Sequence, residues 1–448
     1  MKAHNPRTGE ADYDFAESPR ADIAAEAARL RTMQPHWEAL GPEGRGAVLL
    51  RFADAIETNA GSIIAALAID TGRRTIAAIE VQGCVANIRR WAERAPALFA
   101  GLERGPKRSA TPGIEIVTQY SAFPLFGAIA PWNFPVILSH IDAVPALMAG
   151  SAALVKPSEV TPRFVEPMRA VLAQVPELPL AYIMGGADVG QALIAEVDYV
   201  CFTGSTETGR KVAEAAARRL IPANLELGGK DPIIITASAD PEWAAGVALR
   251  SSIVATGQAC QSIERIYVAR TNAEAFLAAL VAGAEAVRLT HPDPMTGHIG
   301  PFIFPPQGEK VQAQIDAAIA AGARVLTGGT VEQLGGGMYL RPTVLVDVTP
   351  DMAVMREETF GPVLPVTVFD TLEEAIMLAN DSAYGLSAAV LAGSLDEAAA
   401  IAPLLDAGAI SLQDGALTSM VGDADNQSRK GSGLGPSRMG VGADQQVG

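Results

Sequence analysis

The chain has 448 residues, with 34 Lys and Arg against 50 Asp and Glu, a formal charge of −16, and 49% hydrophobic residues. Such acidity excludes a binder of nucleic-acid phosphates, which needs a basic face, and the length predicts two or three domains with ample material for cores. Three scattered cysteines, Cys84, Cys201 and Cys260, make no disulfide framework and fit a reducing compartment.

The opening M-K-A-H-N-P-R-T-G-E has no apolar signal core, and no apolar run reaches bilayer length, so a cytoplasmic protein with no membrane partner is expected. Ala-rich amphipathic runs predict helices over about 20–34, 42–70 and 76–100, with T-G-R-R as a break near residue 72. I-E-I-V-T-Q-Y (114–120) alternates like a half-buried strand. Short apolar runs at 127–130, 152–156, 180–184, 199–203 and 232–236 then alternate with Gly/Pro turns and helical runs. That rhythm is the mark of βαβ units, so the fold class is α/β with a parallel sheet covered on both faces. A second α/β stretch follows, with strand candidates R-I-Y-V-A, R-V-L-T-G-G, Y-L-R-P-T-V-L and V-L-P-V-T-V-F and helices near 272–288, 308–321 and 371–380. The last 25 residues are Gly-rich and aperiodic, and read as loop and tail.

Five short motifs carry possible chemistry. F-T-G-S-T-E-T-G-R (202–210) runs from strand through a Gly-rich turn into a helix, where a phosphate could sit at Gly204–Ser205. It lacks the G-x-G-x-x-G spacing, and Arg210 and Lys211 stand where a P-loop needs Lys and Ser/Thr. An ordinary capped turn fits it equally. V-K-P-S-E puts Lys156 and Glu159 after a strand, suited to ribose hydroxyls or to plain solvent. P-W-N-F-P brackets Asn133 with two prolines, which stiffens a potential oxyanion donor or simply a buried turn. N-L-E-L-G-G-K places Glu226 in an apolar run, where a carboxylate with a raised pKa would serve as a general base, or would pair with a nearby cation. Finally, V-A-T-G-Q-A-C carries Cys260 on the connection between a helix from about 242 and the strand beginning R-I-Y-V. A cysteine alone is more often a small core residue than a nucleophile. The five histidines show no metal-ligand spacing and no C-x-x-C occurs, so no metal is expected.

In order and together with N-P-R-T-G-E and E-E-T-F-G-P-V-L-P-V (357–366), these motifs resemble the NAD(P)-dependent aldehyde dehydrogenase superfamily, from about residue 5 to 440. The resemblance implies a Rossmann-like cofactor domain over 1–108 and 123–228, a small bridging and oligomerising β region at 109–122, a catalytic α/β domain over 229–430 and a tail at 431–448. It implies Cys260 as nucleophile, Glu226 as general base, and Asn133 with the Cys260 N–H as oxyanion hole. Around the cofactor it places Trp132, Lys156, Ser158, Glu159, Gly186, Gly190, Phe202, Gly204, Ser205, Leu227, Glu358 and Phe360.

The chemistry explains the residue types. Thiolate attack turns an aldehyde into a tetrahedral adduct whose oxyanion drives hydride to nicotinamide, and water activated by Glu226 hydrolyses the resulting thioester. Glu159 favours NAD over NADP, since it repels a 2′-phosphate, while Lys156 leaves NADP open. Phe134, Ile137, Ile141 and Val254, with Ala259 and Gln261 beside the nucleophile, are expected toward the aldehyde and predict an uncharged small-molecule substrate. A homodimer or homotetramer is implied. The chain departs from the family at Asp142, where Lys is usual, in D-N-Q-S-R-K-G-S-G (425–433), which replaces an aromatic and two glycines, and in showing no final strand. The alternatives are a CoA-acylating dehydrogenase and a catalytically impaired member that only binds.

Overall fold

The computed structural model describes residues 1–102, 105–422, 424 and 426–436. Helices Arg20–Ala39, Gly41–Thr58, Ala60–Thr71 and Arg74–Gly101 cover one flank, the last two broken at Gly72, whose φ of 65° ends a helix where a β-carbon would strain. The expected single helix over 42–70 is thus two, parted at Asn59–Ala60. None of the helices among the described residues is by itself long and apolar enough to cross a membrane.

The first sheet runs in the order Gly433–Leu434, Ala223–Glu226, Tyr199–Thr203, Leu125–Ile129, Ala152–Lys156, Leu180–Tyr182. All but Gly433–Leu434 are parallel. The chain starts in the middle at Leu125–Ile129, moves out to Leu180–Tyr182, then returns to the other side at Tyr199–Thr203. The order therefore reverses between Leu125–Ile129 and Tyr199–Thr203, and loops leaving their carboxyl ends diverge into a crevice. These strands are buried throughout, which is why they read as unbroken apolar runs rather than alternating ones.

The second sheet is ordered Arg324–Thr327, Thr343–Val346, Val363–Phe369, Ile263–Ala269, Asp231–Ile235, Ser387–Leu391, Ala409–Leu412, with only Arg324–Thr327 antiparallel. Only four residues separate Glu226 from Asp231, so the two sheets meet where L-E-L-G-G-K crosses between them.

Two expectations need correction. I-E-I-V-T-Q-Y is not half-buried: among the described residues Glu115–Thr118 pairs only with Gly105–Arg108, and Ile116 and Val117 are 51% and 70% exposed. Nor is the whole end of the chain a loose tail. Arg429–Lys430 pairs with Tyr384–Gly385, and Gly433–Leu434 adds an antiparallel edge strand beside Ala223–Glu226. The expected absence of a last strand falls on residues 437–448, outside those described.

Candidate active site

The carboxyl ends of the first sheet and the loops of the second enclose a cavity of 510 Å³. Trp132, Asn133, Lys156, Ser158, Glu159, Gly186, Gly190, Phe202, Gly204, Ser205, Leu227, Cys260, Glu358 and Phe360 all line it. Glu226 does not, although Leu227 and Gly228 do. Sequence reading missed Phe304, Gln307, Leu138 and Thr208, which also line it. Phe304 and Gln307 lie at the start of helix Pro305–Ala320, a segment whose motif is too ordinary to single out.

Cys260 is partly exposed at one end of this cavity, whereas Cys84 and Cys201 are buried. Burial pushes the Cys84 thiol further up, away from the reactive thiolate. The loop before Cys260 is unusual. Helix Pro241–Ile253 gives way to Ala255, Thr256 and Gly257, all left-handed, with φ of 52°, 65° and 67°. Left-handed non-glycine residues cost about 1–3 kcal/mol each and persist only when surroundings dictate them. Here they do. Arg73 Nη1 donates to the Ala255 carbonyl at 2.9 Å, and the Gly300 N–H donates to Thr256 Oγ1 at 3.0 Å. A Cβ on Gly257 would lie 2.5 Å from the Gly361 carbonyl, so only glycine allows these two loops to meet.

Asn133 is held from both ends. Arg73 Nη2 donates to its backbone carbonyl, and its own Nδ2 donates to the Gln258 carbonyl at 3.0 Å. Gln258 is itself fixed, accepting from the Ile303 N–H at 2.9 Å and donating to the Pro301 carbonyl at 3.1 Å. A carboxamide has two N–H groups, so one orients the side chain and the other can serve an oxyanion beside Cys260. Arg73 thus ties the loop that precedes Cys260 to Asn133, a link invisible in T-G-R-R read as a break. Burial lowers its guanidinium to about 10. Seven residues on, burial lifts the Glu80 carboxyl to about 7, where it accepts the Val136 and Ile137 N–H groups at the start of helix Pro135–His140.

The loop carrying Glu358 and Phe360 is set by a buried ion pair. Lys230 Nζ donates to Glu264 Oε2 and Thr359 Oγ1, both at 2.7 Å. Glu264 also accepts the Thr359 and Phe360 N–H groups at 2.8 Å, which fixes Phe360 at a φ of 55° with its ring 5.3 Å from that of Trp132. Glu358 accepts the Gly229 N–H at 3.1 Å, and burial with the Glu264 charge pushes its carboxyl up to about 7. Between about pH 4.5 and 7 the folded chain therefore holds a proton that the unfolded chain has lost, so stability falls as pH rises through that window. Glu358→Gln is expected to lack this decline. Melts of the apo-protein from pH 5 to 8 should show the variant gaining about 1–3 °C on the parent at the alkaline end.

At the other end of the cavity, Lys156 is buried, with Nζ donating to Glu159 Oε2 at 3.1 Å. Ser205 caps helix Thr206–Arg219 through the Thr208 N–H, and Gly186 precedes helix Ala187–Glu196. Two helix N-termini, a buried cation and two carboxylates around one cavity fit a dinucleotide, amides being suited to pyrophosphate and carboxylates to ribose hydroxyls. Among the described residues no group of three His, Cys, Asp or Glu is placed to hold a metal ion.

Comparison with known proteins decides the family. The model of the aldehyde dehydrogenase family matches residues 1–445. This chain belongs to the aldehyde dehydrogenase family. A Mycolicibacterium smegmatis protein provisionally named a succinate-semialdehyde dehydrogenase (NADP(+)) is 38% identical over 401 residues, covering 88% of this chain and 77% of its own. The betaine aldehyde dehydrogenase of Cereibacter sphaeroides is 36% identical over 411 residues, covering 90% and 83%. Among solved structures, a provisionally named aldehyde dehydrogenase of Anabaena variabilis superposes with a TM-score of 0.96 at 46% identity, covering 100% of this chain and 95% of its own. Lactaldehyde dehydrogenase from Escherichia coli gives 0.93 at 30%, covering 100% and 94%. As an aldehyde dehydrogenase the chain is an NAD(P)-dependent oxidoreductase with a Rossmann-like cofactor fold and a catalytic α/β fold.

Proposed function

We propose that this aldehyde dehydrogenase oxidises an uncharged aldehyde to a carboxylic acid with NAD, through a thiohemiacetal and then a thioester on Cys260. The observation that carries the reading is that Cys260 and Asn133 share one cavity with Lys156, Glu159, Gly204 and Ser205. The Cys260 thiolate adds to the carbonyl carbon, and the Asn133 amide with the Cys260 N–H receives the oxyanion. The bound nicotinamide supplies the hydride acceptor. Phe360 and Trp132 wall that end of the cavity, and Lys156, Ser158, Glu159, Gly186, Gly190, Phe202, Leu227 and Glu358 hold the remainder of the cofactor. Glu226 takes a proton from the water that cleaves the thioester.

The uncharged substrate rests on the apolar character of Phe134, Ile137, Ile141 and Val254, none of which is among the residues lining the cavity with Cys260. Arg73 lies 5.4 Å from the Phe134 ring but is bonded to two backbone carbonyls, and is not offered to a substrate carboxylate. A second reading, transfer of the acyl group to CoA, draws on the absence of Glu226 from the cavity wall.

The test is an aldehyde panel, including succinate semialdehyde, with NAD or NADP and with or without CoA. The expected result is carboxylate and NADH, a higher kcat/KM with NAD, and preference for uncharged aldehydes. An acyl-CoA product overturns hydrolysis, a preference for NADP overturns the role of Glu159, and preference for succinate semialdehyde overturns the substrate class. NAD binding without NADH from any aldehyde supports a catalytically impaired member.

We further place the enzyme in the cytoplasm as a homodimer or homotetramer. A lone two-stranded hairpin is marginal in water, and the apolar face of Glu115–Thr118 is suited to cover by a second copy. The cofactor domain is assigned to 1–108 and 123–228, the catalytic domain to 229–430.

A further inference from the structure

Residues 426–434 pack on the strand that ends in Glu226. The Leu227 N–H donates to the Ser432 carbonyl at 2.8 Å, and Ser432 Oγ donates to the Gly228 carbonyl at 2.7 Å. Gly433 stands opposite Glu226 in the antiparallel register, and Asn224 Nδ2 reaches the Pro436 carbonyl at 3.2 Å. On this brace sits Ser428, whose Oγ donates to Glu226 Oε1 at 2.9 Å. Glu226 is not among the residues that line the cavity with Cys260, although Leu227 and Gly228 are.

We propose that Ser428 is a positioning residue that latches Glu226 in a withdrawn state, so that thioester hydrolysis waits on release of the carboxylate. The inference rests on Glu226 being the general base. A hydrogen bond from a neutral hydroxyl to a carboxylate is strong enough to bias the side chain and weak enough to open on each turnover. Once released, Glu226 accepts a proton from water, the water oxygen bonds to the acyl carbon, the carbon–sulfur bond breaks, and the Cys260 thiolate leaves with its electron pair. While latched, the carboxylate stays clear of the space where the aldehyde meets Cys260.

The test times the acyl-enzyme itself. Full-length protein with NAD is mixed with radiolabelled aldehyde, quenched in acid at intervals, and the protein-bound label is followed as it decays. Ser428→Ala is expected to lose its label about five- to tenfold faster than the parent, and Ser428→Thr, which keeps the hydroxyl, at close to the parent rate. Damage to the fold slows hydrolysis and does not speed it, so acceleration separates a latch from a scaffold. Slower or unchanged decay in Ser428→Ala, or equal acceleration in Ser428→Thr, overturns the latch. Glu226→Gln separates the two ideas. If its label persists while Ser428→Ala decays like the parent, the latch fails and the base stands. If its label decays at the parent rate, the base fails and the latch with it.

Discussion

Cys260→Ala is expected to cut NADH formation from any aldehyde by at least about 10⁴-fold while leaving NAD binding intact. The size follows from the chemistry. Without the sulfur there is no tetrahedral adduct, and the carbonyl carbon stays trigonal and electron-poor, a poor source of hydride. No other thiol can stand in, because Cys84 and Cys201 are buried in the core, and burial holds the Cys84 thiol in its protonated form. NAD binding should be unaffected, since Lys156 is paired with Glu159 and Ser205 with Thr208. Folding should change little, as a partly exposed thiol loses one atom, an effect within about 1 kcal/mol. The measurement is NADH absorbance over time, paired with calorimetric titration of NAD. A variant that still produces NADH at the parent rate would remove Cys260 from the mechanism.

The pattern of what the sequence revealed has a physical reason. P-W-N-F-P, K-P-S-E, F-T-G-S and L-E-L-G-G-K each join a strand to its next element, and the strands were legible as apolar runs. Their motifs therefore had to fall at carboxyl ends of one sheet, and the cavity gathers them. Long-range partners left no such trace. Arg73 reaches residues 60 and 182 positions away, and Lys230 meets Glu264 and Thr359 only because strands Asp231–Ile235 and Ile263–Ala269 are neighbours. Local propensity also misled at Glu115–Thr118, where alternation promised a buried face but no second layer among the described residues covers the strand. The three left-handed residues before Cys260 were equally hidden, since only Gly257 announces such a conformation.

The Lys230–Glu264 pair gives the largest expected stability effect. Both side chains are almost wholly buried, at 0% and 3% exposure. Lys230→Met fills a similar volume but leaves Glu264 in the interior without its cation, and breaking a buried pair from one side costs about 3–5 kcal/mol. Burial, and to a lesser extent the Arg265 charge, lowers the Lys230 pKa, so the lysine's own desolvation already opposes the pair, and the pair is worth less in total than its rupture suggests. The double variant Lys230→Met, Glu264→Gln should therefore recover part of the loss, because it leaves no unpaired buried charge and the Gln amide oxygen can still accept from one of the Thr359 and Phe360 N–H groups, which bond to different oxygens of Glu264. Function should separate the two variants from the parent in a second way. Glu264 holds the backbone that presents Glu358 and Phe360, and in Lys230→Met that backbone loses both the oriented carboxylate and the bond from Nζ to Thr359 Oγ1. The KM for NAD should then rise several-fold more than the KM for the aldehyde, since Glu358 and Phe360 are the residues we propose for the cofactor, while Asn133 and the loop before Cys260 have further ties of their own through Arg73 and Gln258. Thermal melts and initial rates on the three proteins check both parts. A single variant as stable as the parent, or a double variant less stable than the single, would show that the ion pair does not hold this loop.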